Sequence, residues 1–181
     1  MVQQIEHWPD RVDALIARIG PPLRQGRVVS ECDSTQDMAR AMGLGSLVVA
    51  GRQVAGRGRR EHRWVDTGSE GLAFSIVLPS TREPECSVAL AEAIAAGLLP
   101  LVPATVKKPN DVLIDGRKLA GVLVEQSGEL AIIGIGINVH QREWPVELEE
   151  TAISLHQGGV DIDRLEVLEL LLPAVVAAWN G

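Results

Sequence analysis

The sequence predicts an α+β domain, with helices packed on a mixed, mainly antiparallel sheet. Three observations predict it. Short runs of Val, Ile, Leu and Ala recur at strand length, bounded by Gly, Pro, Asn and Asp. In the second half these runs follow one another too closely for crossover helices, so neighbours must pair as hairpins. Helical periods interrupt the strands without the regular alternation of a doubly wound sheet.

In chain order, Val12, Leu15, Ile16 and Ile19 recur at helical spacing before Gly20-Pro21-Pro22 ends the segment. Arg27 to Glu31 reads as a strand. Asp33-Ser34-Thr35 brings good N-cap residues together and starts a helix from Gln36 through Met42. Leu47 to Ala50 is a buried strand. Residues 51–70 have no apolar period and are rich in Gly and Arg, which makes them a loop. Leu72 to Leu78 is the next strand, and Ser87 to Leu99 an Ala-rich helix that stops before Pro100. Strands follow at Thr105 to Lys107, Val112 to Ile114, Leu119 to Glu125 and Leu130 to Val139. Asp115-Gly116 suits a type I′ hairpin, whose central residues take positive φ, and Ser127-Gly128 marks another turn. Ile162 to Trp179 closes as an amphipathic helix. No repeat or linker breaks the 181 residues, which read as one domain.

Composition narrows the function. Apolar residues make up 46% and aromatics only 3%, so the core is built from Val, Ile, Leu and Ala. Few rings remain for stacking single-stranded nucleic acid. A net charge of −7 argues against DNA or RNA held over a whole surface. Cys32 and Cys86 lie far apart, with neither CxxC nor a paired His, so no disulfide framework or zinc motif is expected. His7, His62, His140 and His156 make no HExxH or close pair, and no protein-built metal site is expected. The chain has no secretory leader pattern and no apolar run of ~18 residues. A cytoplasmic protein with no membrane partner is the expectation.

Two segments carry candidate chemistry. Residues 51–63 place five Arg against one acid in an acidic protein, interleaved with Gly51, Gly56 and Gly58. Glycines let backbone N–H groups approach an anion, and arginines add planar charged forks that fit phosphate or carboxylate. The segment is neither a P-loop nor a dinucleotide fingerprint, because GxxxxGK[ST] and the third glycine are both missing. The second segment, 106–125, sets Lys107, Lys108, Asn110, Asp111, Arg117 and Lys118 around a hairpin. Lys118 begins an apolar strand that would pin its stem while the head reaches a cleft. Strict alternation puts Lys118 and Ala120 on one face and Leu119 on the other. Gly121 removes a side chain where a flat ligand can lie on the strand.

Together these segments resemble the catalytic domain of biotin protein ligases. The marks are Asp33-Ser34-Thr35, Gln53-x-Ala55-Gly56-Arg57-Gly58-Arg59-Arg60 with Trp64 downstream, Lys107-x-Pro109-Asn110-Asp111, Arg117-Lys118-Leu119-Ala120-Gly121, and Gly134-x-Gly136-x-Asn138. They stand in the family's order over about residues 28–140. The resemblance implies the sheet of the biotin ligases and class II aminoacyl-tRNA synthetases. It implies that ATP and biotin give biotinyl-5′-AMP and pyrophosphate, and that a lysine of a biotin carboxyl carrier protein then takes the biotin. It implies Ser34, Thr35 and Gln53 at the ureido ring, and Gln36, Gly56, Arg57, Gly58, Arg59, Lys118 and Gly121 as further biotin-binding residues. For ATP and the adenylate it implies Arg57, Arg59, Trp64, Asn110, Lys118 and Asn138. Lys118, Arg59 and Asp111 become the catalytic residues, and Mg²⁺ is expected to arrive with ATP.

The chain also departs from the family pattern. Lys108 stands where Trp is usual, Gln36 where Asn is commoner, and Glu61-His62 where Gly-Arg often follows. No helix-turn-helix domain is expected ahead of the core, hence no DNA partner, and no small β-barrel after it. A homodimer is compatible with the resemblance. A lipoate-type ligase and a biotin or biotinyl-AMP binding module without transfer activity remain alternatives.

Overall fold

The computed structural model describes residues 5–59, 63–66, 68–81 and 86–180. Among them run α1 (Trp8–Ile19), β1 (Gln25–Cys32), α2 (Thr35–Met42), β2 (Ser46–Gln53), β3 (Leu72–Pro79), α3 (Cys86–Leu98), β4 (Thr105–Lys107), β5 (Asp111–Ile114), β6 (Arg117–Ser127), β7 (Leu130–Ile137) and α4 (Arg164–Asn180). The strands form one sheet in the order β1-β2-β3-β7-β6-β5-β4. Only β1 and β2, joined through α2, run parallel; the other neighbours are antiparallel. The expected mixed, mainly antiparallel α+β fold is therefore what the chain adopts.

Period-two alternation divides the sheet into unlike faces. Leu72, Phe74, Ile76 and Leu78 of β3 and Ile133, Ile135 and Ile137 of β7 join the main core with α1, α3 and α4. Val48, Val77 and Ile132 point the other way and meet Ala39 of α2. That second face also carries Ala73, Ser75, Gly134 and Gly136, paired side by side as Ala73 with Gly136 and Ser75 with Gly134. Three helices cover one face. One short helix covers part of the other, and the site lies in what remains.

The boundaries that differ from expectation differ for local reasons. Gly51, Arg52 and Gln53 belong to β2 rather than the loop, since Arg52 and Gln53 pair with Glu31 and Cys32 of β1. α4 starts at Arg164 rather than Ile162 because Asp163 caps it. Asp163 Oδ1 accepts from the N–H groups of Leu165 at 2.7 Å and Glu166 at 3.3 Å, while Glu166 Oε2 accepts from Asp163 N. α2 starts at Thr35, one residue before the expected Gln36, and Ser34 takes the N-cap position, yet the Ser34 side chain makes no capping hydrogen bond. The cap comes from across the chain: Gln53 Oε1 accepts from Thr35 N at 2.7 Å. Asp115 and Gly116 both take positive φ, as the hairpin requires.

Alternation fails in one place that matters. Val112 of β5 faces Ala120 of β6, but the next residue, Leu113, faces Lys118. Leu119 is the extra residue of this irregularity. Leu119 and Ala120 therefore both enter the core, each fully buried. The expected sharing of a face by Lys118 and Ala120 is overturned. Lys118 shares its face with Gly121 instead, and a bulge of this kind re-aims a side chain beside a site.

Candidate functional site

Two adjoining cavities open on the thinly covered face. The smaller, about 150 Å³, runs between α2, the glycine pairs of β6 and β7, and the Arg/Gly loop. The larger, about 340 Å³, continues past Lys118 to Asn138, Trp144 and the 148–152 segment. Arg63, Trp64, Asp111 and Lys118 line both.

The floor is made by missing side chains. Gly121 and Gly136 are direct partners across β6 and β7. A Cβ on Gly136 would sit 2.4 Å from Trp64 Cε2, and one on Gly134 would sit 2.7 Å from Gln36 Cδ. Over Gly121 the nearest atoms are Lys118 Cε and Nζ, at 3.1 Å from such a Cβ. Flat or extended groups thus lie directly on the strands, as a Cβ would forbid.

One end of the smaller cavity is polar and preorganised. Gln53 Oε1 accepts from both the backbone N–H and the hydroxyl of Thr35, at 2.7 and 3.0 Å. Thr35 Oγ1 lies 2.8 Å from Ser75 Oγ. With Oε1 committed, the Gln53 amide nitrogen is the group left to donate to a ligand. Behind it, Asp66 Oδ2 accepts from Gln53 N at 2.9 Å. Burial pushes the Asp66 carboxyl above the ordinary range, against the pull of nearby backbone N–H groups and the Arg164 charge.

The other end is cationic, and its cations are held by the protein's own polar groups. Arg57 lies 2.5 Å from Asp37 of α2 and 3.5 Å from Glu125 of β6. The hydrogen bond to Arg57 holds the Asp37 carboxyl below its ordinary value, and the same bond raises Arg57. Arg59 donates to Asn110 Oδ1 at 3.3 Å. Lys118 Nζ lies 2.7 Å from Asp111 Oδ1 and 5.9 Å from the centre of the Trp64 ring. A bridge pairs Arg57 with Arg63, and Arg57, Arg59 and Arg63 line the smaller cavity.

Of the residues singled out in the sequence, Thr35, Gln36, Gln53, Arg57, Gly58, Arg59, Trp64, Asn110, Asp111, Lys118 and Gly121 line the smaller cavity. Asn138 lines the larger one, but its Nδ2 donates to the carbonyls of Lys118 at 3.1 Å and Ile153 at 3.0 Å. It fixes the strand that carries Lys118. Ser34 and Gly56 line neither; Ser34 is buried at the start of α2, and Gly56 O accepts from Trp64 N at 2.9 Å. Arg52 turns to Glu31, 3.0 Å away on the surface. Lys108 is exposed in the turn between β4 and β5. Arg60, Glu61 and His62 lie outside the described residues.

Sequence reasoning missed Ser75 and Asp66. Ser75 is the one polar residue of an otherwise apolar β3, which is a readable signal. Asp66 had none, since only the fold brings it behind Gln53. Among the described residues no three His, Cys, Asp or Glu gather closely enough to hold a metal ion. No helix among them is long and apolar enough to cross a membrane.

Comparison with known proteins gives a consistent picture. Residues 28–140 match the model of the biotin/lipoate A/B protein ligase family. The chain is 38% identical over 142 residues to the bifunctional ligase/repressor BirA of Bacillus spizizenii, covering 71% of this chain but only 44% of that relative. It is 34% identical to the biotin–[acetyl-CoA-carboxylase] ligase of Mycobacterium tuberculosis, over 90% of this chain and 68% of the relative. In structure it resembles the biotin protein ligase of Aquifex aeolicus in complex with biotin and ATP. The TM-score is 0.79 at 34% identity, covering 87% of this chain and 71% of the other.

Proposed function

This chain belongs to the biotin/lipoate A/B protein ligase family, and from that premise we propose that it activates biotin with ATP and passes it to a lysine of a biotin carboxyl carrier protein. The observation that carries this reading is one trough with a neutral polar end at Thr35 and Gln53, backed by Ser75, and a cationic end at Arg57, Arg59 and Lys118. Biotin has the matching polarity: an uncharged ureido ring, an apolar chain and a carboxylate. A fatty acyl chain without a polar head would leave the Gln53 amide without a ligand partner.

In the first step a biotin carboxylate oxygen bonds to the α-phosphorus of ATP. The bond to the β-phosphate bridge breaks, and pyrophosphate leaves with its electron pair. Arg57, Arg59 and Lys118 exchange their internal partners for the carboxylate and phosphate oxygens, where negative charge grows. In the second step the carrier lysine nitrogen attacks the carbonyl carbon and AMP leaves. Asp111, released from Lys118, orients that amine and takes its proton. The larger cavity takes the nucleotide, with Trp64 as a flat wall and Asn138 acting through the segment it fixes, while Asn110 reaches the adenylate from the smaller cavity. Mg²⁺ bound together with ATP would neutralise phosphate charge, and Asp111, the carboxylate that both cavities share, is the residue that would face it. The compartment is the cytoplasm, where carrier and ATP are found together.

Calorimetric titration with biotin and with lipoate, each with and without ATP, tests the reading. Saturable heat with biotin, strengthened by ATP, is the expected result. Binding of lipoate but not biotin would transfer the site to lipoate chemistry.

A further inference from the structure

α4 opens on a residue that its place in the helix disfavours. A cation in the first turn opposes the helix dipole, and burying a guanidinium strips its hydration. Arg164 is the first residue of α4 and is 1% exposed. Its partners explain its position. Nη1 donates to Gly51 O at 2.8 Å and to Gly71 O at 3.0 Å, and the guanidinium lies 4.6 Å from the centre of the Trp8 ring. Gly51 is in β2 shortly before Gln53, and Gly71 immediately precedes β3. These carbonyls mark where the Arg/Gly loop leaves the sheet and where it returns. One nitrogen ties both ends.

A second path runs through the loop itself. Asp66 holds the backbone N–H of Gln53, and the Arg164 charge favours its ionised form. Gln53 in turn holds Thr35 by two hydrogen bonds. From Asp66, hydrogen bonds pass through Gln53 to Thr35 in the polar wall of the smaller cavity, while Arg164 lines neither cavity.

We propose that Arg164 is a positioning residue for the ligand site, holding the base of the Arg/Gly loop through the carbonyls of Gly51 and Gly71, while Asp66 holds the backbone N–H of Gln53 from within the loop. The part concerning biotin rests on the functional reading above; the part concerning the loop does not. The flat guanidinium lies over the Trp8 ring and so places Nη1 between the two carbonyls; a lysine keeps the charge but is shorter and loses that planar stacking surface.

The test uses Arg164→Lys and Asp66→Asn, with Leu171→Ala in the α4 core as a control of general destabilisation. One readout is the native-state rate of tryptic cleavage at the loop arginines. The other is the split of KM for biotin from kcat in ATP-dependent pyrophosphate release. Both site variants are expected to be cut in the loop about tenfold faster than the control at equal global stability. KM for biotin is expected to rise about tenfold with kcat within about twofold, because binding rather than chemistry is disturbed. Loop cleavage and KM equal to those of the control would overturn the proposal. If Arg164→Lys does not fold, Asp66→Asn decides on the same two readouts. If the unaltered protein releases no pyrophosphate, the functional reading falls, and loop cleavage alone decides the positioning role.

Discussion

Arg57 and Lys118 face the site with their charges already engaged by Asp37, Glu125 and Asp111. A ligand anion must displace these carboxylates, so they set how strong an anion the site accepts. Asp37 makes this measurable. Its carboxyl is depressed mainly by the hydrogen bond from Arg57. Its contribution to stability is therefore complete above the ordinary carboxylate value and is lost as pH falls through the depressed folded value. An NMR titration should find Asp37 below the ordinary value, and Arg57→Gln should return it upward. An Asp37 that titrates identically in both proteins would remove Arg57 from that contact. Arg57, Arg59, Gln53 and Lys118 were legible in the sequence because charge and amide types stand out in a Gly-rich loop and an apolar strand. The partners were not: nothing in the local sequence ties Arg52 to Glu31, Asp66 to Gln53 or Asn138 to Ile153.

At the scale of elements, β7 builds the site by plain alternation. Ile133, Ile135 and Ile137 fill the core, while Gly134 and Gly136 leave the opposite face bare. Gly136→Ala puts a methyl where the Trp64 ring now lies, so the ring must move off the strand. We expect the variant to fold, its Trp64 fluorescence to shift to the red, and biotin affinity to fall about tenfold or more. Unchanged affinity would show that the glycine floor is not part of the pocket. Every strand and helix is visible in the sequence as a period or a turn, including the Asp115-Gly116 hairpin. The β6 irregularity is not, because two adjacent core residues, Leu119 and Ala120, look the same in a straight strand as in a bulged one. That one residue decides which neighbour shares Lys118's face.

In the whole molecule, the main core and the candidate site lie on opposite faces of one sheet. Adjacent residues of β3 separate them. Phe74 is fully buried in the main core, whereas Ser75 points to Thr35 on the site face. Phe74→Ala should cost about 3–5 kcal/mol of stability in denaturant unfolding and leave biotin affinity of the folded protein nearly unchanged. Ser75→Ala should cost about 1 kcal/mol and weaken biotin binding. The reverse pattern would refute the division. The central claim is that the polar and cationic ends of this trough together make an adenylate. The most direct measurement is pyrophosphate release with biotin and ATP, by the protein and by Lys118→Ala at matched folded fraction. Biotin-dependent release that falls by two orders of magnitude or more in the variant is the expected result (~10²-fold for a lost transition-state cation). No biotin-dependent release, or equal release from both proteins, would contradict the account.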